Sequence, residues 1–496
     1  MMRSYGGSLM AGCLLAFALT ACGSGDGTNG KSSASNTASS NAAAGNTNDG
    51  KGGADGNTVP GNDAQGDSAA GSDDAGSGGG KKTIAFSTFW QDDKFEEAKK
   101  KYEALHPDIE IKLEHADYSD ATLESDIEKY VTSTNAAMLA GKGPDLLQLD
   151  LLPADNYVKH KLLADMSPMM SGDSGFHKDD YFDNILDNVR TGQSLYEMPL
   201  TFFLMGFAGD ADAIAKSGAK FDDLNWSWSD FTKTAGEMVA NGPLPSALSY
   251  LGPEYLLGEM VSDNYSLFMD AEARKAHFDS ASFTGLMKQV KTLFDDGVVS
   301  KMGRGVNAYF QSVQINSPKD YLESMQGISL GVKLTHKELG NHMKLYAKPH
   351  AQDNAAGGYF QTYRSVAIGA NSKVKPEAWD FVEFLMSEEI QSPSNATGFP
   401  INKAAFAKQI QDMKALGSFK SIPEGPLQGK DVKVDDAMLD GLNAYVNGAV
   451  HPVAATKSDK VWEIVVEEAK AFYAGQKSAE DVANLVQNKV TTYLNE

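Results

Sequence analysis

Residues 23–80 contain no aromatic side chain and only one large aliphatic residue, Val59, yet they hold 16 of the chain's 48 glycines. Ser, Asn, Ala and Asp supply most of the rest. A segment this poor in apolar surface cannot offset the entropy of ordering its backbone, so it is expected to be a disordered coil. As a Gly/Ser-type chain its root-mean-square span is about 40–45 Å. The 496-residue chain is thereby divided. Only the part from about Lys81 onward can build a core, and it is long enough for two folded units at roughly 100–200 residues each.

Both cysteines, Cys13 and Cys22, precede that coil. The body is therefore free of disulfides, thiol nucleophiles and cysteine metal ligands. Arg3 gives a positive start and Leu9 to Ala21 an apolar run of 13 residues. This is short of the ~20 helical residues that cross a bilayer core and reads as the apolar part of a signal peptide. Leu19-Thr20-Ala21-Cys22 resembles a bacterial lipobox, which implies cleavage after residue 21 and lipidation of Cys22. A plain secretory signal with an incidental cysteine is the alternative. Two acyl chains on one residue anchor stably. The mature chain is then expected on the extracytoplasmic face of the cell membrane, tethered through residues 22–81 and not spanning the bilayer. With 44 basic against 66 acidic residues, a net charge of −22 and no basic run, a nucleic-acid partner is not expected.

In the body, Thr83 to Ser87 reads as a strand. Phe95, Ala98, Tyr102 and Leu105 recur at helical spacing up to His106-Pro107. Ile109, Ile111 and Leu113 alternate as a strand. A helix is expected from about Thr122 to Ala140, then a strand through Leu146, Leu147 and Leu149. That order predicts an α/β chain with parallel strands covered on both faces, whose ligands bind beyond the carboxyl ends of the strands. Trp90, Tyr118 and Asp150 stand at or just past the three ends. Further on, Ser227 and Asp230 fit a capping box at a helix start. Helices are also expected over 281–294, over 377–387, and twice within 460–494 with a break at Gly475.

Several stretches resemble the bacterial extracellular solute-binding proteins of family 1, the maltose-binding-protein-like receptors of ABC importers. They are Thr83 to Trp90, Tyr102 to Ile111, Ala140 to Leu146, Leu195 to Pro199, Trp228 to Phe231, Phe294 to Gly297, and Trp379 to Ser387 followed by Gly398 to Asn402. The resemblance implies a type II periplasmic-binding-protein fold: two α/β lobes joined by a hinge. The lobes would comprise 82–198 with 366–400, and 199–365 with 401–496, crossing near 198–202, 363–369 and 398–402. It also implies a monomer that closes on a small solute, a carbohydrate above all, and docks on an ABC permease. Two departures stand near the first crossing: Glu197 replaces a usual glycine, and Phe207-Ala208-Gly209-Asp210 replaces a usual Tyr-Asn pair.

Sugars offer apolar C–H faces and hydroxyl rims, so aromatic platforms and a few polar side chains should hold them. Trp90 and Tyr118 are candidate platforms, each with packing as its alternative. Asp150 is a candidate acceptor or a helix cap. Thr201 and Phe202 follow the crossing, although Phe202 also suits a core. Tyr359 and Tyr363 lie in a glycine-rich segment resembling the family's second-lobe ligand segment. Arg364 would either clamp an anionic group or bridge the lobes as an ion pair. No catalytic residue, cofactor or metal ligand is expected. A surface-anchored glycosidase and a metal-ion receptor are the alternative functions. The acid pairs Asp92-Asp93, Asp179-Asp180 and Asp295-Asp296 read as turns or helix ends, and His336, His342 and His350 are too loosely spaced for a usual metal site.

Overall fold

The structure is a computed structural model that describes residues 81–495, except 271–272, 303–306, 352–355, 394–396, 424 and 454–457. The leader, Cys22 and the glycine-rich coil lie outside the described residues. The alternating runs at the start of the body form β1 (Lys82–Thr88) and β2 (Ile109–His115). They pair in parallel, with Ile84 opposite Ile111. Between them α1 (Asp93–Leu105) buries Phe95, Ala98 and Tyr102, and the Asp92 carboxylate accepts the Lys94 N–H as its cap. Leu105 is 65% exposed, contrary to its place on the apolar stripe, because it is the helix's terminal residue. Next come α2 (Leu123–Leu139) and β3 (Leu146–Gln148), the latter parallel to β1.

The chain then crosses the molecule in β4 (Met198–Asp210), buried over nearly its whole length. The second half contains α3 (Trp228–Asn241), β5 (Ser246–Tyr250), α4 (Pro253–Asp263), α5 (Ala281–Asp295), β6 (Val299–Lys301), β7 (Ala308–Ile315), α6 (Pro318–Thr335) and β8 (Met343–Tyr346). Strand β9 (Gly358–Ile368) crosses back to α7 (Lys375–Leu385), and β10 (Phe399–Pro400) makes a third, short crossing. Then β11 (Ala449–Pro452), α8 (Ser458–Tyr473) and α9 (Ala479–Asn495) end the chain. As expected, Trp379, Val382, Leu385 and Met386 point inward.

One 11-stranded sheet runs β2-β1-β3-β9-β4-β7-β5-β6, with β8 and β10 on β4 and β11 on β9. Apolar clusters build around each half. Phe86, Phe95, Tyr102 and Phe381 belong to the first, while Trp228, Phe231, Phe310 and Val486 belong to the second. The register shows how the two halves meet. Gln148, the last residue of β3, pairs with Val366, and Val366 pairs with Met198 at the start of β4. Ile315, the last residue of β7, pairs with Leu204. Strands from the two halves thus point their carboxyl ends at each other across six residues of β4, roughly 20 Å of extended chain.

Candidate functional site

The first-half rim is aromatic. Phe89, the residue after β1, is 2% exposed and anchors two rings. Trp90 meets it edge-on at 4.5 Å and Tyr118 stacks on it at 5.4 Å, while Trp90 and Tyr118 lie 4.9 Å apart. Trp90 is half-buried and Tyr118 is 42% exposed, so each keeps ring surface at the rim. Tyr130 of α2 closes the cluster from behind, 5.5 Å from Phe89.

Below this rim, β9 changes partner. Before Arg364 it pairs with β4; after it, with β3 as well. Arg364 itself is left-handed, φ 52, a conformation that persists in a non-glycine residue only where its surroundings fix it. They do so here from three sides. Its N–H donates to Asp150 Oδ2 at 3.1 Å, its Nε to Asp92 Oδ2 at 2.6 Å and its Nη1 to the Thr397 carbonyl at 2.8 Å. Asp150 also accepts from Ser365 N–H and from Gln148 Nε2. Burial pushes the Asp150 carboxyl up to about 6, with the Gln148 and backbone hydrogen bonds and the Arg364 charge pulling the other way. Asp150 is thus neither a helix cap nor a free acceptor, and Arg364 is ion-paired with Asp92 rather than left as an open anion clamp.

Thr201 is buried and donates from Oγ1 to the Tyr363 carbonyl at 3.0 Å, while Tyr363 stacks on Phe203 at 4.8 Å. Two expectations fail. Phe202 is fully buried on the opposite face of β4, stacked on Phe399 at 5.6 Å. Tyr359 is also fully buried; its hydroxyl donates to the Pro349 carbonyl and its ring lies under the Lys348 amine. Neither has a face left for a solute. Phe203 takes the other face of β4 because side chains alternate along a strand, although at 5% exposure and stacked on Tyr363 it too offers little surface. The run Met-Pro-Leu-Thr-Phe-Phe-Leu-Met is apolar at both parities, so only the pairing partners reveal the face.

A cavity of about 30 Å³ is lined in part by Lys94, Thr201, Arg364 and Gly398, and another of about 140 Å³ lies beside it among Asp93, Lys94, Glu97, Ile390 and Pro393. The first has room for about one water. Burial and the Arg364 charge lower the Lys94 amine to about 8. The second departure near the crossing has a structural cause: Phe207 is a core residue and Asp210 caps the Ala211–Ser217 helix. Among the described residues no three His, Cys, Asp or Glu side chains are grouped to hold a metal ion, and no helix is long and apolar enough to cross a membrane.

Residues 90–392 match the bacterial extracellular solute-binding protein family. The chain belongs to that family. Solved structures of similar architecture include an extracellular solute-binding protein of family 1 from Alicyclobacillus acidocaldarius, 16% identical with TM-score 0.54, covering 84% of this chain and 99% of that one. The sugar-binding protein MalE from Xanthomonas citri is 12% identical with TM-score 0.55, covering 83% and 97%. A cyclic alpha-maltosyl-1,6-maltose binding protein from Arthrobacter globiformis is 14% identical with TM-score 0.51, covering 84% and 99%. At these identities the likeness establishes the fold, the two-lobe α/β architecture of type II periplasmic binding proteins. As an extracellular solute-binding protein, the chain works outside the cytoplasm.

Proposed function

We propose that this solute-binding protein is a membrane-tethered receptor that takes a mono- or oligosaccharide between its lobes and delivers it to an ABC permease. The observation carrying the carbohydrate reading is the Trp90–Phe89–Tyr118 cluster at the rim of the crossing, since flat rings suit the C–H faces of a pyranose. The sugar-binding proteins of the same fold point the same way. Closure is the mechanism: an open–closed equilibrium that solute shifts by binding the closed form better. The three crossings, with Arg364 at the partner change in β9, are the proposed hinge.

A thermal-melting panel of mono- and oligosaccharides tests this. A true ligand at a hundredfold excess over Kd adds about 2.7 kcal/mol of stability. Trp90→Ala is expected to abolish that shift while lowering the ligand-free melting point only modestly, because the ring is half-buried. Silence to every sugar alongside a response to peptides or metals would refute the carbohydrate reading. Sugar recovered cut after incubation would favour a glycosidase instead.

A further inference from the structure

The second-lobe platform expected at Tyr359 is buried, and Thr201, Phe203 and Tyr363 come from the crossing strands themselves. A polar cluster on α4 fills that place. Lys348, 1% exposed at its side chain, follows β8 and donates to Asp263 at 2.6 Å and to Glu259 Oε1 at 3.2 Å. Ser312 of β7 donates from Oγ to Glu259 Oε1 at 2.9 Å, and the Tyr250 hydroxyl at the end of β5 donates to Glu259 Oε2.

The cluster lies where the second-half strands end. Tyr250 is the last residue of β5, and Tyr346, which precedes Lys348 by two, is the last of β8. Just beyond α4, burial and the Asp155 charge together hold the Tyr265 phenol above its ordinary range. Asp155 stands in the helix after β3, in the first lobe.

Charge accounting separates a structural role from a binding one. Asp263, as buried as the lysine, already neutralises Lys348. Glu259 is therefore a surplus negative charge whose side chain stays 23% exposed. Lys348, shared with Asp263, only partly compensates it, and the other donors, Ser312 and Tyr250, are neutral, so further donors from a solute would be favourable. The geometry of Glu259 is fixed from three sides, so it loses little freedom when a ligand arrives.

We propose that Glu259, with Ser312 beside it, is the second lobe's solute contact, accepting hydrogen bonds from hydroxyl or ammonium groups of the solute. This rests on the reading of the crossing as the solute site, and its test has two independent arms.

In the full chain with Cys13→Ser and Cys22→Ser, Ser312→Cys is the sole thiol. It should react with N-ethylmaleimide but much more slowly with a polyethylene-glycol maleimide, whereas Ser418→Cys on an exposed hairpin should take both alike. Equal access at both positions would place Ser312 outside any crevice and overturn the proposal whatever the solute is. In the second arm, maltotriose or whichever panel sugar raises wild-type melting is titrated into Glu259→Gln and Ser312→Ala. About tenfold weaker binding is expected for Glu259→Gln, the worth of one hydrogen bond to a charged group, and a smaller loss for Ser312→Ala. Unchanged affinity in both overturns the proposal, whereas a silent wild-type panel counts against the carbohydrate reading and leaves the thiol result to decide the site.

Discussion

Asp150 illustrates how burial shifts a single carboxyl beside the crossing strands. Its carboxyl sits near 6 in the folded chain because it is buried, against about 4 for an ordinary aspartate. Between those values the native state binds more protons than the unfolded one. The group's contribution to stability is therefore fully present below about pH 4 and lost as pH rises through about 6. Asp150→Asn should flatten the wild-type dependence of melting temperature over that range, and an unaltered slope would mean that another group titrates there. The residue type was legible in the sequence as a strand-end carboxylate. Its role was not, since the partners that occupy it, Arg364 N–H and Ser365 N–H, stand more than two hundred positions away. Phe202 and Phe203 make the same point through parity: adjacent and chemically identical, they face opposite sides of β4.

Elements with strong local signals came out as their residues dictate. The helices over 93–105, 123–139 and 281–295, and the pair over 458–473 and 479–495, match the apolar spacing and the breaks expected of them. The capping box is complete: Ser227 Oγ accepts the Asp230 N–H and Asp230 Oδ2 accepts the Ser227 N–H. Ser227→Ala should cost about 1 kcal/mol, read as a lower denaturant midpoint at unchanged m. No loss at all would mean that Trp226 and Trp228, both buried, hold the helix start alone. What local pattern could not supply is the crossing geometry. The left-handed backbone at Arg364 has no glycine to announce it, and the converging Asp150, Asp92 and Thr397 contacts make a left-handed arginine tenable.

At the scale of the whole molecule, the proposed tether is a property of the sequence alone, because Cys22 and the coil after it lie outside the described residues. Cys22→Ser should shift the chain from the membrane fraction to the culture medium and remove fatty-acid labelling. A chain still membrane-bound and labelled would refute lipidation at that residue. Composition and periodicity determined where folding begins, that the body is α/β, and that its strand ends carry aromatic and acidic residues, since each of these depends on near neighbours in the chain. Only the tertiary structure decided which of those residues remain available. Trp90 and Tyr118 keep open faces, Arg364 and Asp150 are already satisfied by each other's neighbourhood, and Phe202 and Tyr359 are sealed in. Availability depends on pairing register and charge partners brought together across hundreds of residues, and no local pattern contains that information.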